Sequence, residues 1–235
     1  MSSLHFTSTE IYRNRVIQMG EEPITVFNVG APGLDNIYNM NLLSKTELEN
    51  ELNWKINMPT ALFTFHPETL SLNNPKRVIQ KIFSAIEKSA INVLFTYANS
   101  DAGGRIINNE IERFVSSNNT KYFVSKNLGQ VKYLSAMKCV DVVIGNTSSG
   151  IIEAASFCKP VINIGARQLG RLQSKNIINC NLENIEQSIS KSMSKLFLSA
   201  CNDVVNVYGD GGSADKIVDV LVNTNLTTNK KFVDI

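Results

Sequence analysis

Short runs of almost unbroken apolar residues recur along this 235-residue chain, and each gives way to a stretch with helical periodicity. Thr60–Phe65 (TALFTF), Ile91–Tyr97, Asp141–Ile144 and Pro160–Ile164 hold too few polar positions to leave one face in water. Strands of that kind are covered on both sides, and their alternation with helices dictates a parallel sheet with helices packed on each face. The fold class expected is therefore α/β, Rossmann-like. In such sheets a ligand sits at the carboxyl ends of the strands, close to the point where the strand order reverses.

The remaining elements follow from the same periodicities. A β-like run at Leu4–Thr7 precedes a helix at Thr9–Met19, a strand at Ile24–Gly30 and a turn at Ala31-Pro32-Gly33. Asn36–Asn53 reads as one helix. Pro75–Lys88 is an amphipathic helix with Val78, Ile79, Ile82, Phe83 and Ile86 on its inner face. The polar turn Ala98–Gly104 leads into a helix at Arg105–Val115, a strand at Lys121–Val124 and a helix at Gly129–Met137. A helix at Ile151–Phe157, a strand at Asn176–Cys180 and helices near Ile185–Leu196 and Ser213–Val222 complete the pattern. The strand at Leu4–Thr7 has no helix before it and reads as the edge of another domain.

Composition narrows the function classes. Basic and acidic residues number 23 and 21, a net charge of +2, and no basic stripe is interleaved with aromatics, so nucleic acid is not an expected partner. No apolar stretch reaches membrane-spanning length and the N-terminal residues lack a signal-peptide core, so no membrane association is expected. Cys139, Cys158, Cys180 and Cys201 are widely spaced, and the chain has two histidines, which argues against a metal cluster. Three of the four cysteines lie in apolar runs as small core residues, and a reduced, cytoplasmic protein is expected.

The strongest local signal is Asp141–Arg171, a strand, a turn rich in hydroxyls, a helix and a second strand. The turn, Gly145-Asn146-Thr147-Ser148-Ser149-Gly150, opens onto a helix N-terminus, whose unpaired N–H groups and partial positive charge suit a phosphate. Ser148 and Ser149 add hydroxyl donors, and Gly150 permits close approach of an anion to the backbone. Glu153, just inside the helix, suits a ribose diol. Serine and glycine also favour turns and caps with no ligand present, and Glu153 also suits a first-turn acid facing the helix dipole. His66, Asn99, Ser148 and Arg167 each follow the end of a different expected strand, which places them on one rim. His66 is equally a strand-end histidine bonded to a backbone carbonyl until that shared rim is considered.

Eight segments, EIYRNRVIQMGE, VFNVGAPGLDNI, FTFHPET, YANSDAGG, NLGQVKYLSAM, GNTSSGIIEA, PVINIGARQLGR and YGDGGSADKI, run from about Leu4 to Val220. In that order they resemble the hydrolysing UDP-N-acetylglucosamine 2-epimerases of sialic and legionaminic acid synthesis. The non-hydrolysing enzymes of the same fold match less well, since they carry SGGxQEE and TERPE-like segments where this chain reads SSGIIEA and GARQLGR. The resemblance implies the C-terminal domain of a GT-B fold. It assigns residues 1–22 to a crossover segment of an N-terminal domain, 23–222 to the UDP-binding domain and 223–235 to a tail.

The resemblance further implies a UDP-sugar substrate and no cofactor. His66 would face the diphosphate or sugar, Asn99 the substrate, Ser148 and Ser149 the diphosphate, Glu153 the ribose hydroxyls and Arg167 the phosphates. The loop at Leu128 and Gly129 would receive uracil through backbone groups. The implied reaction eliminates UDP across C1–C2 of N-acetylglucosamine and adds water to give N-acetylmannosamine. Its acid/base carboxylates belong to the family's N-terminal domain, so this chain alone is expected to bind UDP without turnover. A homo-oligomer of the full-length protein, or a partner chain supplying the other half, is expected. UDP-diacetylbacillosamine is an alternative substrate, and a GT-B glycosyltransferase or a non-catalytic UDP-binding fragment are alternative readings.

Overall fold

The computed structural model describes residues 2–57, 59–68 and 74–225. Its elements run β1 (His5–Thr7), α1 (Glu10–Gln18), β2 (Val26–Asn28), α2 (Asp35–Asn39), α3 (Lys45–Leu52), β3 (Thr60–Thr64), α4 (Pro75–Lys88) and β4 (Asn92–Thr96). There follow α5 (Gly104–Ser117), β5 (Tyr122–Ser125), α6 (Gly129–Cys139), β6 (Val142–Gly145), α7 (Ser148–Ile152), β7 (Val161–Ile164) and β8 (Ile177–Cys180). Helices α8 (Ile185–Ser192), α9 (Lys195–Asn202) and α10 (Ser213–Asn223) close the chain. Two compact units result, one formed by residues up to Met40 with those from Asn206 onward, the other by Asn41–Val205.

In the larger unit six parallel strands lie in the order β5-β4-β3-β6-β7-β8. The chain builds outward from β3 to β4 and β5, then returns to place β6, β7 and β8 on the other side, so the order reverses between β3 and β6. Side chains alternate between faces along each strand, and both faces are apolar. Ala61, Phe63, Val93, Phe95, Val142, Ile144, Ile162 and Ile164 face a cluster with Ile79, Ile82, Phe83 and Ile86 of α4, Ile107 and Ile111 of α5, and Ile185 and Ile189 of α8. The intervening Leu62, Leu94, Val143 and Val161 face Leu48 and Leu52 of α3, Ala136 and Met137 of α6, and Ala154. The unbroken apolar runs therefore become the middle layer of a three-layer sandwich. At the end of β6 a side chain on Gly145, whose φ is +145°, would overlap the Thr64 carbonyl oxygen of β3, so these two strand ends approach as only glycine allows.

In the smaller unit β1 and β2 pair in parallel, with Phe6 opposite Phe27. The Asp35 carboxylate accepts the N–H groups of Ser213 (2.9 Å) and Ala214 (2.8 Å) and so caps α10, whose N-cap residue Gly212 has no side chain to do it. Two of the eight sequence segments, VFNVGAPGLDNI and YGDGGSADKI, meet through this cap. The boundary drawn at residue 22 runs through this unit, because β1 and β2 pair across it. Most of the expected tail, from residue 226 on, lies outside the described residues.

Three helical expectations change. The helix expected over Asn36–Asn53 is two, because Met40 is extended and Ser44 starts a fresh helix with a capping box to Glu47. The helix expected near Ile185–Leu196 also divides, since Ser194 accepts the Phe197 N–H and caps α9. The helix expected to start after Gly150 starts at Ser148, capped by Thr147, and passes into a 3-10 turn over Ala154–Phe157. Of the cysteines only Cys201 is buried, while Cys139, Cys158 and Cys180 keep partial exposure.

Because β6 is central, truncating its core residues removes contacts that neither layer can replace. Ile144, fully buried, is expected to cost about 2–5 kcal/mol on Ile144→Ala substitution. Leu196, 85% exposed, should change stability by under about 0.5 kcal/mol on Leu196→Ala substitution. Urea unfolding of both variants against the parent checks the contrast.

Candidate functional site

The reversal between β3 and β6 puts their carboxyl ends side by side, and the residues that follow them are held by Asn146. This fully buried side chain sits one residue beyond β6. Its Oδ1 accepts the His66 N–H at 2.8 Å, and its Nδ2 donates to the His66 carbonyl at 2.8 Å. Its own carbonyl accepts from Gln168 Nε2 at 2.8 Å and from an Arg167 guanidinium nitrogen at 3.3 Å. The loops after β3, β6 and β7 thus converge on one carboxamide and its peptide.

His66 is partly buried, and its Nδ1 accepts the Asn99 N–H at 3.0 Å, which brings the loop after β4 into the same group. Burial and the Arg167 charge hold the imidazole below its usual range, against the opposing pull of Asp101. The Asn99 side chain turns away to donate to Asp101 Oδ2 at 2.6 Å. Glu68, of the HPET segment, accepts the Ala166 N–H at 2.9 Å and ties the loop after β3 to the one after β7. Gly165, at φ +79°, leaves the room that Glu68 fills.

A second group gathers at the start of α7. Thr147 Oγ1 accepts the Gly150 N–H at 3.1 Å, which leaves Ser148 and Ser149 as first-turn residues whose N–H groups the helix itself does not pair. Gly150 is buried against Val161 and Val143. At five residues α7 brings little macrodipole, so the N–H groups and hydroxyls carry any attraction for an anion. Glu153 stands at the C-terminal end of α7 rather than in its first turn. Burial pushes its carboxyl up, with Ser149 opposing. Ser149 Oγ is buried without a well-formed hydrogen bond, although Glu153 and Tyr133 of α6 lie against it. Tyr133 also faces Thr64 and Thr147, and burial pushes its phenol up.

His66, Asn99 and Arg167 are therefore brought together through Asn146, and Ser149 and Glu153 through Tyr133, with Ser148 beside them on α7. Leu128 and Gly129 stand at the start of α6, one turn before Tyr133. The Leu128 side chain is buried, and the Gly129 N–H is taken by Asn127 Oδ1 at 2.8 Å. Sequence reasoning missed Asn146, Tyr133, Thr147, Gln168 and Glu68, although each lies inside a segment it had singled out.

The family model described as UDP-N-acetylglucosamine 2-epimerase matches residues 1–222. The chain belongs to that family. Among curated relatives, GDP/UDP-N,N'-diacetylbacillosamine 2-epimerase (hydrolyzing) of Campylobacter jejuni is 40% identical over 240 residues, covering 100% of this chain and 62% of its own. UDP-N,N'-diacetylbacillosamine 2-epimerase (hydrolyzing) of Legionella pneumophila is 30% identical over 227 residues, covering 94% and 58%. The chain thus spans about three fifths of the length of the relatives it matches. Among solved structures, UDP-GlcNAc 2-epimerase from Neisseria meningitidis bound to UDP-GlcNAc superposes with a TM-score of 0.77 at 16% identity, over 95% of this chain and 62% of that one. The architecture is that of the Rossmann-like C-terminal domain of a GT-B fold. No described helix is long and apolar enough to cross a membrane.

Glu153 gives a pH-dependent test of the site. With its native pKa above the ordinary 4.5, the folded state holds a proton that the unfolded state has released, so stability falls as pH rises through that window. Glu153→Gln should therefore raise the melting temperature at pH 7.5, with the gain vanishing once both states are protonated below pH 4.5. Thermal melts at the two pH values decide it, and a less stable Gln variant at pH 7.5 would mean that contacts stabilise the carboxylate.

Proposed function

We propose that these residues form the nucleotide-binding part of a hydrolysing UDP-sugar 2-epimerase, which eliminates UDP from a 2-acetamido sugar and hydrates the product to release the C2-inverted free sugar. The observation that carries this reading is the convergence of His66, Arg167, Ser148 and Ser149 on the strand ends where the sheet order reverses, in a chain of this family. Ser148, Ser149 and Arg167 bind the diphosphate, with Gly150 giving the close packing beneath them. Glu153 accepts the ribose hydroxyls. His66 faces the diphosphate at its sugar end, Asn99 stands toward the sugar, and the peptide at Leu128–Gly129 receives uracil.

Cleaving the anomeric C–O bond leaves charge on the departing diphosphate, and fixed donors stabilise that charge without reorganising. Moving the C2 proton needs an acid/base group across the sugar. In this reading that group is a carboxylate supplied by polypeptide outside these 235 residues, in the same chain or another.

For the sugar, the relatives at 40% and 30% identity are named for GDP/UDP- and UDP-N,N'-diacetylbacillosamine, which supports UDP-diacetylbacillosamine ahead of UDP-N-acetylglucosamine as the substrate. Calorimetry with UDP should register binding to this chain, and incubation with either UDP-sugar should release no free sugar. Together with the polypeptide that supplies that carboxylate, this chain should release the 2-epimer of one of the two. Absence of UDP binding, or transfer to an acceptor with no free sugar released, would sink the epimerase reading.

A further inference from the structure

We propose that His66 serves this site as the Nε2–H tautomer, a neutral single N–H donor, and that Asn146 is the positioning residue that fixes it there. The Asn99 N–H donates to Nδ1, and a ring nitrogen that accepts cannot carry a proton. The neutral ring must then hold its hydrogen on Nε2, and protonating Nδ1 would set two N–H groups against each other. The groups that act on the ring charge are Arg167, which disfavours a second cation, and Asp101, which favours one.

The ring is aimed by its backbone, and the backbone is held on both sides by one carboxamide, at 2.8 Å each. A carboxamide alone offers one acceptor and one donor in that plane, which also fixes which way Asn146 points. A carboxylate could keep the bond from the His66 N–H but would set an oxygen against the His66 carbonyl. The Asn146 peptide oxygen meanwhile anchors Arg167, so one residue places both the neutral donor and the cation of the site. The role given to the donor rests on the UDP reading, whereas the tautomer is a property of the free protein.

Nitrogen NMR decides the first point without ligand, since the chain has two histidines and a His5→Gln variant assigns the other. The His66 spectrum should show a bare Nδ1 and a protonated Nε2, persisting below the ordinary midpoint of 6.5. A protonated Nδ1, or a cationic ring at neutral pH, overturns the proposal. For the ligand arm, His66→Gln, whose amide nitrogen reaches the Nε2 position, should hold UDP affinity within about threefold, and His66→Asn should lose about tenfold or more. Equal losses in both variants overturn the donor role, while failure of the parent to bind UDP sinks the functional reading and leaves the tautomer result standing. For Asn146, folded Asn146→Asp or Asn146→Ser should show mixed tautomers at His66. An unchanged His66 spectrum, or failure of both variants to fold, overturns the positioning role.

Discussion

The site depends on an amide buried where the sheet changes direction. Parallel strands leave their carboxyl ends ragged, with the last peptides unpaired, and at a reversal point two such ends lie side by side without a helix between them. Burying those polar groups would cost roughly 1–3 kcal/mol apiece if they stayed unpaired. Asn146 removes that cost for His66 by supplying both partners from one side chain. The same residue ties the residue after β6 to the loop after β3, a junction from which the loops after β3, β6 and β7 take their direction.

This junction tolerates little change because the strands meet too closely for a side chain at Gly145 and because Asn146 is wholly excluded from water. Around it, Glu68 and Gln168 add cross-ties between the loops after β3, β6 and β7. The result is a set of polar groups held on strand ends by hydrogen bonds that no ligand has to form first. Preorganisation of that kind favours binding by lowering the ordering cost, not by adding contacts.

The layers of this fold were legible in the sequence because the central strands are almost continuously apolar, with Thr60, Thr64, Asn92 and Thr96 confined to the strand ends of β3 and β4, a pattern expected of a doubly covered sheet. The rim residues were legible because His66, Asn99, Ser148 and Arg167 carry chemistry just beyond strand ends. Helix breaks were harder: Asn41, Leu42 and Leu43 continue a plausible helical pattern, and the decisive signal was the cap at Ser44 with Glu47. Asn146 escaped because its partners are the backbone of a residue 80 positions away, which no periodicity encodes. Tyr133 escaped because its reach to Ser149 depends on how α6 is rotated against the sheet. The position of Glu153 was misjudged by a few residues, since the helix start was read at the glycine and not at the Thr147 cap.

The charge pattern has a consequence for any diphosphate held here. Arg167 is the cation that the Asn146 peptide anchors at the rim, and it is exposed, where water weakens its attraction. The other donors, from Ser148, Ser149 and His66, are neutral dipoles whose geometry is set before the ligand arrives. Neutral fixed dipoles distinguish poorly between ligands of different total charge but strongly between different placements of that charge. Under the proposed function, such a rim would grip the leaving diphosphate by position, and would leave the choice of sugar to groups lying beyond the strand ends.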